Sequence, residues 1–198
     1  MAQELIESPR ARLFVALDLP EAIRAGIAEW QRSAVTDEAL RPVAAEALHV
    51  TLVFLGWRPQ EDVERLGELA TAVDRAAPEL RMLPEPVAVP RKLSRTSLFA
   101  IEAESPGAIE LQAGVEARLA AAGMHDPEKR GFWPHVTVAR VRKRMHPRTA
   151  PGPLPDALLQ PFRAVRVSLY RSLLRPSGAE YVSMANVELP IPGSGKAT

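Results

Sequence analysis

Two short segments of the chain carry the same arrangement of a histidine and a threonine. HVTLVFLG begins at His49, and HVTVAR begins at His135, 86 residues later. The chain has four histidines, so half of them stand at the head of the pattern His-Val-Thr-apolar. Residues i and i+2 of a β-strand lie on the same face, so each motif places an imidazole beside a hydroxyl.

Two imidazoles facing each other suit displacement at phosphorus. That reaction needs a base for the attacking oxygen and an acid for the leaving oxygen on the opposite side. Histidine, with an ordinary pKa of about 6.5, can do either near neutral pH. His49 and His135 are therefore the candidate acid and base, and the hydroxyls of Thr51 and Thr137 are candidate donors to the non-bridging phosphate oxygens. The residues alone leave open which histidine is the acid.

A single His-x-Thr on a strand is weak evidence, because a buried histidine often bonds to a neighbouring hydroxyl. Two copies at equivalent positions of a repeat favour a catalytic pair instead. His125 and His146 have no counterpart in the repeat, and we expect both at the surface. The chain has no cysteine, and the histidines lack metal-type spacing with a third ligand. We therefore expect no metal site.

The segments that precede the two motifs repeat as well. The Leu-Phe pairs at 13–14 and 98–99 stand 36 and 37 residues before their histidines. Each pair lies in a predicted strand, and Pro20 and Pro106 then suit the first turn of a helix. We interpret this as a degenerate duplication of a strand–helix–strand unit. It predicts two pseudo-symmetric halves whose His-Thr pairs face each other across a cleft.

The remaining patterns indicate a mixed α+β fold. Strict alternation in the strand at 49–55 predicts that Val50, Leu52 and Phe54 pack into the layer behind. Four prolines between 78 and 90 confine that region to edge or short strands. Further predicted elements are strands at 12–17, 97–101, 165–173 and 181–189, the last two a hairpin through 176–178, and a helix around 63–73. We expect one domain over 1–198, with a core from about 12 to 189 and a flexible C-terminal tail at about 191–198.

Composition and charge narrow the class of protein. Hydrophobic residues make up 46% of the chain, and no stretch approaches the ~20 apolar residues of a membrane helix. The formal net charge is +1, which disfavours a protein that coats nucleic acid by charge alone. We expect a cytoplasmic protein with no membrane association.

The two motifs and their flanks resemble the two-histidine (2H) phosphoesterase superfamily. Besides HVTLVFLG and HVTVAR, the resemblance involves RLFVALDLP at Arg12, RPV at Arg41 and GFWPH before the second motif. It spans about Arg12 to Leu189 and is strongest to the RNA 2′,3′-cyclic phosphodiesterases, long called 2′-5′ RNA ligases. It implies two pseudo-symmetric lobes, each an antiparallel sheet backed by helices, with the active cleft between them. It also implies hydrolysis of an RNA-terminal 2′,3′-cyclic phosphate to a 2′-phosphomonoester, without metal or nucleotide cofactor.

The resemblance also implies roles for the motif residues. His49 would be the proton donor to the leaving 3′-oxygen, and His135 the base that activates water. Thr51 and Thr137 would hold phosphate oxygens. The partner would be RNA or an oligonucleotide with a 2′,3′-cyclic phosphate end, and we expect a monomer with no obligatory protein partner.

Residues close to the second motif are further candidates. Arg140 ends that motif and Arg130 stands five residues before His135, so either could contact phosphate or be a solvated arginine. Phe132 or Trp133 could stack on a terminal base, with the other in the core. By resemblance to the family, Phe99 could supply an aromatic side chain in the strand at 97–101.

Two other functions use the same features. Microscopic reversibility allows the two histidines to catalyse the ligase direction, which joins ends through a 2′-5′ linkage. A non-catalytic module that binds RNA ends is the third possibility, and the intact histidine and threonine in both motifs count against it.

Overall fold

The computed structural model describes residues 9–175 and 178–192. The part of the expected tail from 193 onward lies outside the described residues, as do 176–177 of the expected hairpin turn. The helices are α1 Glu21–Ala34, α2 Val63–Thr71 and α3 Pro106–Ala121. The strands are β1 Arg10–Asp18, β2 Leu40–Pro42, β3 His49–Pro59, β4 Glu79–Met82, β5 Val87–Val89, β6 Leu98–Glu104, β7 His135–Val141, β8 Phe162–Arg163, β9 Arg166–Arg175 and β10 Gly178–Glu188.

All strand pairings among the described residues are antiparallel, in the order β10-β9-β1-β3-β7-β6-β4-β8. The short strand β2 adds to β7, and β5 adds to β6. The α+β class and the antiparallel sheets are therefore confirmed. β2 and β8 were not predicted, because strands of two or three residues are too short to show a period-2 pattern.

The two halves of the chain meet where β3 lies beside β7. Within the described residues, these strands pair at one position, Val50 with Val136. Each valine is the second residue of its motif, so this antiparallel pair lies on a local two-fold axis that relates each residue of β3 to the one 86 positions later. Both side chains are fully buried behind the sheet. The same register puts His49 across from Thr137 and Thr51 across from His135.

Each half's helix packs behind the motif strand of the other half. Gln31 of α1 is buried, and its Nε2 donates to the carbonyl of Val138 in β7 at 2.7 Å and to that of Val43 at 3.0 Å. α3 packs against β3, while α2 covers β9 and β10. The helices thus hold the junction of the two halves from behind and leave the opposite face of the sheet open.

Both motif strands contain a β-bulge directly after their threonine. Ala16 pairs with Thr51 and Val15 with Val53, which leaves Leu52 without a partner across from it on β1. Val138 is skipped in the same way between β7 and β6. A bulge shifts the alternation of faces by one residue, so the third residue after each threonine returns to the threonine's side. The prediction for Phe54 was therefore wrong: its side chain is 57% exposed on the histidine face.

Two kinds of feature are absent from the described residues. No helix in residues 9–175 and 178–192 is long and apolar enough to cross a membrane. That part of the chain also holds no group of three or more histidine, cysteine, aspartate or glutamate side chains placed to bind a metal ion.

The buried amide of Gln31 offers a test of how the halves are held together. We expect Gln31→Leu to lower the free energy of unfolding by about 1–3 kcal/mol, because it removes both hydrogen bonds of the buried amide and takes a donor from the carbonyls of Val43 and Val138. Urea unfolding measures this change. Gln160→Leu, at an exposed position, is the matched control and should change stability by less than about 0.5 kcal/mol. Equal effects of the two substitutions would contradict this role for Gln31.

Candidate active site

A cleft of about 570 Å³ opens on the face of the sheet that carries both motifs. His49, His135, Thr51 and Thr137 all line it, so the structure brings together the four residues that the motifs indicated. The other lining side chains used below are Arg12, Phe14, Arg41, Phe54, Arg140 and Tyr181. No carboxylate is among the described residues that line this cleft.

His49 is held by its backbone neighbourhood and by aromatic rings. Its Nδ1 lies 2.8 Å from the carbonyl oxygen of Ala47, which can only accept, so Nδ1 carries a proton. In the neutral ring Nε2 is then unprotonated, and the hydroxyl of Thr51 donates to it at 3.0 Å. The Phe14 ring stacks on the imidazole at 4.9 Å, and the Tyr181 ring meets it edge-on at 5.3 Å. The orientation and tautomer of this histidine are therefore set before any ligand arrives.

His135 repeats this arrangement in the other half. Its Nδ1 donates to the carbonyl of Trp133, again two residues earlier and again at 2.8 Å. The Trp133 ring stacks on the imidazole with centroids 4.1 Å apart. Both histidines thus present Nε2, rather than Nδ1, as the nitrogen available for proton transfer. An Nε2 of this kind accepts a proton when the ring is neutral and donates one when the ring is charged.

Burial lowers the pKa of both histidines. The pKa of His49 falls from 6.5 to about 4, chiefly because burial disfavours the charged ring. Burial also lowers the pKa of His135 below its ordinary 6.5. The two imidazoles are therefore neutral at pH 7 in the free protein, and an anionic ligand would be needed to stabilise a proton between them.

A carboxylate lies across from each histidine, on the strand that pairs with the other edge of its motif strand. Asp18 of β1 pairs with His49, and Glu102 of β6 pairs with His135. Each partly opposes the effect of burial by raising the pKa of its histidine. Sequence reasoning missed both, because the register between strands decides which residue faces which.

Asp18 is itself held firmly in place. It is buried, and its carboxylate accepts hydrogen bonds from Arg166 Nε at 2.5 Å, Ser168 Oγ at 2.8 Å and the Tyr170 hydroxyl at 3.1 Å. Tyr170 also stacks on Phe14, which in turn stacks on His49. The network connects the β9 side of the sheet to the aromatic support of the histidine.

The arginine candidates divide between two places. Arg140 lines the cleft and lowers the pKa of His49 by its charge. Arg12 and Arg41 also line the cleft, although sequence reasoning singled out neither as a site residue. Arg130 lies elsewhere: its side chain is 91% exposed, 3.7 Å from Glu128, and borders a neighbouring pocket rather than the main cleft. The cleft is therefore electropositive beside the two histidines.

The aromatic residue exposed in the cleft is not one of those that the sequence suggested as ligand contacts. Phe99 is fully buried in the core, and Phe132 packs against the core from a half-buried position. Trp133 stacks on His135, so that face of its ring is already covered. The exposed aromatic surface in the cleft comes instead from Phe54, which the bulge in β3 turns outward.

The two remaining histidines differ in their exposure. His146 is exposed, as expected. The expectation for His125 was wrong: its side chain is 7% exposed and its Nε2 lies 3.5 Å from Glu116. A loop histidine that packs under a helix carries no sequence signal of its burial.

Most of the chain is similar to known proteins. Residues 19–174 match the family model described as the 2'-5' RNA ligase superfamily. An RNA 2',3'-cyclic phosphodiesterase of Thermus thermophilus is 34% identical over 184 residues, which cover 90% of each chain. One of Escherichia coli is 34% identical over 138 residues, covering 65% of this chain and 71% of the relative. The crystal structure of E. coli LigT complexed with 3'-AMP aligns with a TM-score of 0.71 at 28% identity, covering 91% of this chain and 99% of LigT.

The lowered pKa values predict how stability depends on pH. In the unfolded chain both histidines take up a proton near pH 6.5, whereas folded His49 does so only near pH 4. The unfolded state therefore binds more protons between these values, and stability should fall as the pH falls from 6.5 to 4, by up to about 1.4 kcal/mol per pH unit for one such group. Chemical unfolding at each pH measures this slope.

Substitutions identify the group responsible. His49→Gln should make the slope shallower, because glutamine does not titrate. His146→Gln, at an exposed position, should leave the slope of the parent protein unchanged. An identical slope in His49→Gln and the parent would contradict the lowered pKa.

Proposed function

The chain belongs to the 2'-5' RNA ligase superfamily, and we propose that it hydrolyses the 2′,3′-cyclic phosphate at the end of an RNA to a 2′-phosphomonoester. Family membership confirms the resemblance drawn from the two motifs. The relatives named above are RNA 2',3'-cyclic phosphodiesterases, which supports the same reaction here. The finer points below concern how this chain's own residues perform it.

One observation carries the mechanism: two imidazoles present Nε2 to one electropositive cleft, each anchored by an Nδ1–H bond to a carbonyl. In-line displacement at phosphorus places the attacking and leaving oxygens on opposite sides. A histidine on each side can then remove one proton and supply the other. The anchoring carbonyls keep both rings in the tautomer that this exchange requires.

The proton transfers run as follows. Neutral His135 accepts a proton from water through Nε2 as the water oxygen bonds to phosphorus. Protonated His49 donates from Nε2 to the 3′-oxygen as the bond from phosphorus to that oxygen breaks. The 2′-oxygen stays bonded to phosphorus, so the product is a 2′-phosphate. The assignment of acid to His49 and base to His135 follows the resemblance.

The non-bridging phosphate oxygens need donors in the transition state. Thr51 and Thr137 line the cleft beside the histidines, and their hydroxyls suit this purpose. Arg140, three residues beyond Thr137 and turned to the same face by the bulge, adds a positive charge. Arg130 lies outside this cleft, and we propose for it no contact with the reacting phosphate.

The cyclic phosphate itself supports the proton on the acid. With the pKa of His49 at about 4 in the free protein, the charged ring is rare at pH 7. A phosphate anion beside Nε2 stabilises the imidazolium and raises that pKa. The substrate thus creates the charged state that its own cleavage requires.

Both motifs belong to one chain, so the two histidines of the proposed mechanism need no second subunit. We propose a monomer as the active form. Sedimentation at the concentrations used for assays would test that expectation.

Removal of either histidine should abolish most of the activity. We expect His49→Ala and His135→Ala each to lower kcat on an oligoribonucleotide ending in 2′,3′-cyclic phosphate by about 10²–10⁴-fold. His146→Ala should retain the parent rate, and EDTA should not change it. Chromatography of the 2′-phosphate product provides the measurement. Near-normal turnover in either motif variant would contradict the two-histidine mechanism.

The same variants can assign acid and base. With bis(p-nitrophenyl) phosphate the leaving group departs as a stable anion that needs no proton, so loss of the acid should matter little. The activity of His49→Ala, as a fraction of the parent's, should therefore be much higher on this diester than on the cyclic phosphate. The fractional activity of His135→Ala should stay low on both. Recovery in His135→Ala alone would reverse the assignment.

The pH dependence of kcat/KM reports the pKa values of the free enzyme. One proton must be shared between two histidines whose pKa values both lie below 6.5. We therefore expect kcat/KM to rise as the pH falls from 8 towards 6, approaching tenfold per unit, while kcat keeps its value to higher pH because bound phosphate raises the pKa of the acid. A kcat/KM that is flat between pH 6 and 8 would show that the free site already holds its proton.

A further inference from the structure

Basic residues are concentrated in two short segments beside the main cleft. Residues 86–101 and 139–155 contain eight of the chain's 25 basic residues and none of its 24 acidic ones. The formal net charge of the whole chain is only +1, so the charge of these segments is balanced elsewhere in the molecule and not locally. Since a run of like charges is often no more than a solvated loop, its place in the fold decides what it can do.

The two segments lie side by side because β6 pairs with β7. Leu98 is across from Arg140, and the backbone N–H of Val141 donates to the carbonyl of Ser97 at 2.9 Å. On the other edge of β7, Arg41 of β2 is across from Arg140. Leu98, Arg140 and Arg41 therefore form a row across three strands, and all three line the main cleft. The basic segments continue directly from this wall of the cleft.

The turns that carry the basic residues are held in place by hydrogen bonds. After β7, the backbone N–H groups of Arg148 and Thr149 donate to the Asp37 carboxylate at 2.6 and 3.0 Å. Before β6, Thr96 is buried, and its hydroxyl donates to the carbonyl of Lys92 at 3.0 Å. These bonds fix the backbone of both turns, so less order has to be imposed on it when a ligand binds.

Six cations of these segments are exposed and form no ion pair with any described residue. We call them the basic rim: Lys92, Arg95, Arg142, Lys143, Arg144 and Arg148. Arg91, by contrast, lies 4.0 Å from Glu102. Arg32 and Arg65, on helices behind the sheet, each pair with a glutamate three residues away. The rim is therefore a group of uncompensated positive charges, which attracts a polyanion.

The proposed mechanism puts the RNA chain on the side of the cleft where the rim lies. The leaving 3′-oxygen belongs to the terminal ribose, so that ribose and the chain 5′ to it lie on the His49 side of phosphorus. His49 is across from Thr137, and Arg140 follows three residues later on the same face. Arg140 is also close enough to lower the pKa of His49 by its charge. Phosphates that precede the terminal nucleotide can therefore reach the rim by way of Arg140.

We propose that the basic rim binds the ribose–phosphate backbone of the RNA that precedes the cyclic phosphate, so that oligonucleotide ends are preferred to mononucleoside cyclic phosphates. The inference rests on the proposed function and adds a length preference to it. Lysine and arginine neutralise backbone phosphates whatever the base, so this binding depends on salt rather than on sequence. A mononucleoside cyclic phosphate has no preceding phosphodiester and gains nothing from the rim.

The dependence of the kinetics on length and salt tests this inference. Uridine 2′,3′-cyclic phosphate is compared with oligouridylates of two, four, eight and twelve residues that end in the same group. We expect KM to fall with length until the rim is filled, by about tenfold or more, while kcat stays within about twofold. For the longest substrate, kcat/KM should fall with KCl between about 50 and 200 mM, with a logarithmic slope of about −0.7 for each phosphate bound. Equal KM values at all lengths would overturn the proposal.

Variants then locate the binding surface. Lys92→Gln combined with Lys143→Gln removes one cation from each turn. This double variant should raise KM for the longest substrate about fivefold or more and make its salt slope shallower by about 1.4. Its kinetics on uridine 2′,3′-cyclic phosphate should stay within about twofold of the parent. Lys92→Arg combined with Lys143→Arg keeps both charges and should match the parent on both substrates.

The matched control changes the net charge equally, away from the cleft. Arg32→Gln combined with Arg65→Gln does so on the helices behind the sheet and should leave KM at the parent value. An equal rise of KM in this control would indicate attraction by net charge and overturn the assignment to the rim. Loss of activity on both substrates in the lysine variant would overturn it too. Hydrolysis by the parent without a length preference overturns the rim alone, whereas no hydrolysis of any cyclic phosphate overturns the proposed function.

Discussion

The pairing of Val50 with Val136 is the constraint on which the rest of the structure depends. It is the position at which the described parts of β3 and β7 hydrogen-bond, and both side chains are fully buried there. Because equivalent residues of the two motifs form this antiparallel pair, the neighbouring histidines and threonines are brought to one face by symmetry. The strands diverge on either side, since a single pair does not hold twisted strands together over their length. The cleft and the neighbouring pocket bordered by Arg130 both follow from that divergence.

The same junction explains the unusual electrostatics of the histidines. A residue next to the central pair of a packed sheet is poorly solvated, so burial lowers the pKa of both rings. The carbonyls of Ala47 and Trp133 offset part of this cost and fix the tautomer. Asp18 of β1 and Glu102 of β6, which lie across from the histidines, offset a further part of the cost of charging the rings. Burial thus disfavours the charged form of both rings, and the proposed mechanism requires a bound anion to stabilise the charged acid.

Much of the site could be predicted from the sequence because it depends on short motifs and on their repetition along the chain. The i, i+2 spacing placed His49 beside Thr51, and the 86-residue repeat placed the second pair opposite the first. Features that depend on pairing between strands could not be predicted in this way. The bulges at Leu52 and Val138 appear only in the register with β1 and β6, and they turn Phe54 and Arg140 into the cleft. Strict alternation therefore sent Phe54 to the wrong face, and the carboxylate partners of the histidines were missed.

The two halves have diverged where an asymmetric substrate would require it. The equivalent bulges deliver an aromatic ring, Phe54, in one half and a cation, Arg140, in the other. An apolar ring suits a base or sugar, whereas a guanidinium suits phosphate oxygens. The strand edges differ in the same sense, since β2 closes the edge of β7 and the edge of β3 stays open beside His135. A symmetric frame therefore sets the position of the two histidines, and in the proposed mechanism the departures from that symmetry would distinguish the side of the leaving oxygen from the side of the attacking one.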